Sequence, residues 1–125
     1  MKTVIHWFRR DLRVSDNTAL GEAARRAEKI IPAFIFEDAF RTGPDVGAAR
    51  LAFLLQSVES LRKNLAELGH ALVVRCGKSE EILPKLAKET GAQAVFANKR
   101  YEPYAQRRDE RLTGILLNAG VGFEL

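Results

Sequence analysis

The sequence is poor in cysteine, histidine and tryptophan and has no long apolar run. Of its 125 residues one is cysteine, two are histidine and one is tryptophan. A lone Cys76 excludes an internal disulfide and a cysteine-rich metal site, which suits a reducing, cytoplasmic setting. His6 and His70 each lack a second ligand at metal spacing, so no metal is expected. No apolar stretch approaches the roughly 18–20 residues of a membrane span, and no membrane partner is expected. The opening MKTVIHWFRR meets charge too early for a secretory leader. Phosphate-binding glycine motifs are missing as well. Where a dinucleotide fold would carry G-x-G-x-x-G after its first strand, the residues are F-R-R-D-L-R, and no Walker loop occurs. None of Ser15, Ser57, Ser60 and Ser79 lies in a nucleophile elbow, so no catalytic residue is assigned.

What is present describes one folded unit. An apolar fraction of 46% with 29% charged residues is ordinary for a globular domain, and the length suits a single core, residues 1–125. Twenty Lys and Arg against sixteen Asp and Glu leave a net charge of +4. The basic clusters at Arg9, Arg10 and Arg13, at Lys99 and Arg100, and at Arg107, Arg108 and Arg111 all have acids interleaved. They read as salt-bridged loops and a solvated helix face, with a DNA-binding patch as the alternative.

Along the chain, strand and helix patterns alternate. Thr3–Phe8 (TVIHWF) reads as a strand. Asp16 or Asn17 then caps a helix running to about Glu28. Ile30–Phe36 is a nearly continuous apolar strand, with Pro32 expected near its start. From Gly47 to Leu68 apolar residues recur every three or four positions (Leu51, Leu54, Leu55, Val58, Leu61, Leu65, Leu68), and Gly69 ends the helix. Ala71–Cys76 is a third strand, in which Cys76 reads as a packed thiol. Ser79 caps a helix ending at Gly91, and Ala94–Ala97 is a fourth strand. Pro103 opens a last helix with Leu112, Ile115, Leu116 and Ala119 facing inward, and Val121–Leu125 starts a fifth strand, inside which the chain stops. This alternation specifies an α/β class: a doubly wound, open, parallel five-stranded sheet of Rossmann-like type, three-layered α-β-α, with the expected order 3-2-1-4-5.

In such a sheet ligands bind beyond the carboxyl ends of the strands, at the switch in strand order, here between the first and fourth strands. The loops that leave those strands, Arg9–Ser15 and Asn98–Glu102, are the most polar of the chain. Glu37, Asp38, Phe40, Arg41 and Arg50 lie on the same edge. An apolar floor of Phe8, Phe34 and Phe36 with a charged rim suits a planar heterocycle. The plain alternative for Arg9, Asp11, Arg13 and Asp16 is that they pair with one another and cap the first helix. His6 and Trp7 read as packed strand residues.

One stretch goes beyond generic α/β features. Trp7-Phe8-Arg9-Arg10-Asp11-Leu12-Arg13, followed by Ser15-Asp16-Asn17 and Ala19-Leu20, resembles the opening signature of the photolyase/cryptochrome family. The likeness continues in Gly47-Ala-Ala-Arg50 and in the stretch NKRYEPYAQRRD at residues 98–109. It implies the N-terminal α/β domain of a protein whose larger helical domain, outside this chain, holds FAD. In photolyases light-excited reduced flavin splits a cyclobutane pyrimidine dimer in UV-damaged DNA; cryptochromes use the scaffold for light sensing. The α/β domain would carry an antenna chromophore, a folate, deazaflavin or flavin, and Arg100, where deazaflavin-type members have an acid nearby, leaves the choice open. Carried over residue by residue, the chromophore candidates are Phe34, Phe36, Glu37, Arg50, Asn98, Lys99 and Glu102. The WFRRDLR loop would stabilise the domain and its junction with the helical domain, and Trp7 would not belong to an electron-transfer chain. A stand-alone nucleotide-binding module of stress-protein type is the remaining alternative.

Overall fold

A computed structural model describes residues 1–9, 11–15, 17–37 and 48–125, with the backbone alone at 48–50. Expectations that fall on Arg10, Asp16, Asp38, Phe40, Arg41 and Gly47, and on the side chain of Arg50, lie outside the described residues.

Among the described residues five strands alternate with four helices: β1 (Thr3–Phe8), α1 (Thr18–Arg26), β2 (Lys29–Phe36), α2 (Ala48–Glu67), β3 (Val73–Cys76), α3 (Ser79–Thr90), β4 (Ala94–Phe96), α4 (Pro103–Asn118) and β5 (Gly122–Glu124). All neighbouring strands pair in parallel, in the expected order β3-β2-β1-β4-β5. β1 lies at the centre, bonded to β2 along its length and to β4 from Val4 to His6. Its alternating side chains divide between two cores. Val4 joins Ala23 of α1 with Ala94 and Phe96, while Phe8 and Phe34 pack on Val58, Leu61 and Leu65 of α2. On the opposite face Ile5 and Trp7 pack on Leu83 and Leu86 of α3 and on Leu112 and Leu116 of α4. Two helices per face is the signature of a doubly wound sheet.

Local chemistry explains most boundaries. Asn17 caps α1 by accepting the Leu20 N–H at 3.0 Å. α3 ends on Gly91 at φ +73°, and Gly69 follows α2 at φ +84°, conformations that a side chain disfavours.

Several expectations are corrected in detail. Pro32 stands in the middle of β2, opposite His6, and not near its start. Because β3 joins only from Ala33, the strand has a neighbour on one side there, a place where a sheet tolerates a residue without an N–H. Ser79 is the first residue of α3, and Lys78 occupies the cap with no side-chain bond to the helix. Cys76 is exposed, because β3 is an edge strand with one exposed residue after another. Leu55 on α2 and Leu68 just past its end are exposed, and the buried stripe is Val58, Leu61 and Leu65. Ile115 on α4 and Ala119 at its C-cap are exposed, and the inward stripe runs Ala105, Asp109, Leu112, Leu116.

Candidate functional site

The loop after β1 is tied to the ends of β4 and α1. The Asn98 amide nitrogen donates to Asp11 and, at 2.7 Å, to Asn17 Oδ1, while its own Oδ1 accepts the Ala19 N–H at 2.8 Å. The Asn98 carbonyl accepts from Arg9 Nη2 at 2.5 Å, and Arg9 Nη1 donates to Asp109 Oδ1 at 2.8 Å. Arg9 and Asp109 are buried, 3% and 5% exposed at their side chains. Burial lowers the Arg9 pKa despite its bond to Asp109, with the charges of Arg108 and Arg100 pushing the same way. Among the described residues of the first loop, the Arg9 backbone N–H donates to Asp11 Oδ1 at 3.1 Å, while the Arg9 guanidinium pairs outside the loop. Its arginine crosses to α4.

Beside these ties lies a cleft of about 1190 Å³ beyond the carboxyl ends of the strands. One wall is Trp7, Arg9, Asp11, Leu12 and Arg13 from β1 and its loop. The floor is Phe8, Phe34 and Ile35, with Glu37 at the end of β2. The far walls come from α2 (Leu51, Phe53, Leu54, Ser57) and from Arg100, Tyr104, Arg108 and Arg111, with Lys78 and Glu80 closing one side. The cleft thus extends across β2 to the start of α3 as well as over the switch in strand order between β1 and β4. A space of this size takes a ligand of several fused rings, and its apolar floor and charged rim fit a planar heterocycle.

Two arginines converge on Trp7 at one corner of the cleft. The ring is 2% exposed, yet two guanidinium carbons approach it, Arg9 at 4.8 Å and Arg108 at 5.3 Å from the ring centroid. Arg108 Nη1 donates to both oxygens of Glu37, at 2.9 and 3.0 Å. Burial holds the Glu37 carboxyl above its ordinary range, and the charge of Arg108 draws it partly back. Arg100 donates to Glu102 at 3.1 Å and to the Tyr104 hydroxyl at 2.7 Å.

Of the expected chromophore residues, Phe34 and Glu37 line this cleft. Phe36 packs edge-on against Phe34, with ring centroids 4.8 Å apart, behind the lining. Asn98 is engaged in the loop ties just described. Lys99 is exposed, its ammonium 5.9 Å from the Tyr101 ring, and Glu102 occupies the cap position of α4. Sequence reasoning missed Arg100, Tyr104, Arg108 and Asp109 as a group. The signal was available in Asp109, a carboxylate on the apolar stripe of α4, because a buried acid requires a buried partner.

A family model for DNA photolyase matches residues 4–125. The chain is 46% identical over 101 residues to an Arabidopsis thaliana protein named cryptochrome DASH, chloroplastic/mitochondrial, covering 76% of this chain and 18% of that protein. It is 40% identical over 118 residues to a deoxyribodipyrimidine photo-lyase of Agrobacterium fabrum, covering 94% of this chain and 24% of the other. Among solved structures, a bacterial class III photolyase from Agrobacterium tumefaciens superposes with a TM-score of 0.88 at 38% identity, over 98% of this chain and 25% of that one. An archaeal photolyase from Sulfolobus tokodaii, described as holding two FAD molecules with the implication of a novel light-harvesting cofactor, superposes at 0.89 with 28% identity, over 98% and 28%. The chain spans less than a third of the length of each of these four proteins.

Proposed function

The chain belongs to the DNA photolyase family, in which it corresponds to the N-terminal α/β domain, and from that premise we propose that it is the antenna-chromophore domain of a light-driven DNA repair enzyme. In this reading the cleft holds a folate, deazaflavin or flavin that absorbs light. FAD and the cyclobutane dimer of UV-damaged DNA belong to a helical domain beyond this chain. The observation that carries the reading is the cleft itself: an apolar floor with a ring of charge, at the sheet edge where open α/β folds bind ligands.

The residues divide the work. Phe34 adds apolar surface to the floor under a planar ligand and Glu37 a carboxylate for its polar edge, held in place by Arg108. Phe36 supports Phe34 from behind. Asn98, Lys99 and Glu102 shape the loop between β4 and α4 along the rim, and Arg50 stands near the head of α2 on the opposite side. The domain contributes binding and orientation; no bond-making group is assigned to it.

Thermal melts with a folate, a flavin, a deazaflavin and AMP in parallel test this. A ligand that binds only the folded state at a hundred times its Kd adds about 2.7 kcal/mol of stability. Stabilisation by one of the three chromophores is the expected outcome; stabilisation by AMP alone would indicate a nucleotide-binding module instead.

Light sensing is the second reading, favoured by the 46% identity to a cryptochrome DASH. A dimer-splitting assay on a protein carrying this domain together with its FAD domain separates the two, since repair requires splitting and sensing does not.

A further inference from the structure

We infer that Arg108 is a positioning residue of the cleft: braced against the Trp7 ring, it fixes the Glu37 side chain in one orientation and holds it as a carboxylate. The inference rests on the chromophore reading for what Glu37 contacts, and its test needs no ligand.

Four charged groups meet around one indole. Arg108 and Asp109 are neighbours in the second turn of α4, yet they serve different partners. Asp109 accepts from Arg9 in the core, while Arg108 reaches Glu37 just past β2. The two guanidinium carbons lie 4.8 and 5.3 Å from the Trp7 ring centroid. The charge of Arg108 works against that of Arg9, so each cation needs a carboxylate of its own. Arg9 has Asp109, and Arg108 has Glu37.

The second pair sets direction as well as charge. Arg108 Nη1 donates to both Glu37 oxygens, at 2.9 and 3.0 Å, so the carboxylate cannot turn without losing a bond. The side chains are only 13% and 21% exposed, where water screens an ion pair less than at an open surface. The Trp7 face attracts the flat guanidinium and limits where it can go.

No other described cation takes this place. From α3, Glu80 brings a like charge to Glu37 and Ser79 only a hydroxyl. Arg111, almost a turn further along α4, is 59% exposed and lies 4.0 Å from Glu80. Arg9 is committed to Asp109 and the Asn98 carbonyl. Burial already raises the Glu37 pKa, and Arg108 is the foremost group that lowers it. Without Arg108, burial and Glu80 together favour the neutral acid.

NMR of the 125-residue chain with ¹³C-labelled glutamate reads Glu37 directly, its carboxyl signal assigned through Glu37→Gln. Arg108→Gln keeps a polar side chain without the charge, and should raise the Glu37 titration midpoint by about one pH unit or more. Arg108→Lys keeps the charge but loses the planar group, and the order parameter of the Glu37 side chain should fall. A merely structural role would lower stability and leave the midpoint of the folded chain where it was. Circular dichroism checks that each variant is folded; if Arg108→Gln is not, the order parameter in Arg108→Lys decides. An unchanged midpoint in folded Arg108→Gln, or an equally ordered Glu37 in Arg108→Lys, would overturn the inference. Neither result bears on the chromophore reading, which the melts decide separately.

Discussion

His6 stands in the middle of β1 with no exposed surface, its ring edge-on to Phe8 at 4.4 Å. The Asn17 amide nitrogen lies 3.4 Å from Nε2, which places the ring proton on Nδ1, and Nδ1 is buried with no partner. Burial lowers the pKa to about 4 although Asp11 pulls it upward. The unfolded chain therefore binds a proton near pH 6.5 that the folded chain refuses until about pH 4. Stability is complete above pH 6.5 and falls as the pH drops through that window, by roughly 3 kcal/mol in all. Urea unfolding at pH 7 and pH 4 should show this loss on top of that from the carboxylates, and His6→Gln should remove the histidine share. Identical pH slopes in the two proteins would refute it. The sequence showed His6 as a packed strand residue, because period-2 alternation places it on an inner face. It did not show the orphaned nitrogen, which depends on where Asn17 comes to rest eleven residues later.

At the scale of elements, Asn17 serves three structures at once. Its Oδ1 accepts the Leu20 N–H of α1 and the side-chain amide of Asn98 beyond β4, and its Nδ2 donates to the Arg13 carbonyl at 3.1 Å. Loss of an N-cap alone costs about 1 kcal/mol. Asn17→Ala should cost about 2 kcal/mol or more, because it also leaves the Asn98 amide short of an acceptor. Denaturant titration gives the number, and a loss below about 0.5 kcal/mol would show that water replaces the bonds. Elements like α1 were legible because their caps are local: a side chain bonds a backbone three residues on. The same holds for Gly69 and Gly91 after α2 and α3, where a left-handed residue ends a turn. Helix faces were legible only where packing follows the apolar residues. The α2 stripe narrows to Val58, Leu61 and Leu65 because one face of a helix can meet the sheet, so Leu55 and Leu68 remain outside. The tie from Arg9 to Asp109 spans a hundred residues, and no local rule of spacing predicts which distant acid a buried arginine will find.

For the molecule as a whole, strand order was readable because crossover handedness and short connections leave few ways to wind alternating strands and helices. The cleft was readable in place, though not in extent, since its walls come from side chains of five segments. That topology also sets where the structure opens first. β1 is flanked on both sides from Val4 to His6 and packs on all four helices' cores, whereas β3 is a four-residue edge whose last three residues are exposed, and β5 is a three-residue edge. Local openings should be drawn from the edges, where few apolar contacts are lost, while the centre opens only with global unfolding. Native-state hydrogen exchange should therefore find the slowest amides at Val4–His6, near the global unfolding free energy. The amides of Val73–Cys76 and Gly122–Glu124 should exchange at least tenfold faster. Equal protection in β1 and β3 would mean that the exposed edge is covered in solution. The cleft rests on the carboxyl ends of β1 and β2, so a ligand there is held by the most protected strand and its neighbour. In the proposed reading its walls from α2 and α4 would add the side chains that select the ligand, a division that lets the scaffold stay rigid while the rim is varied.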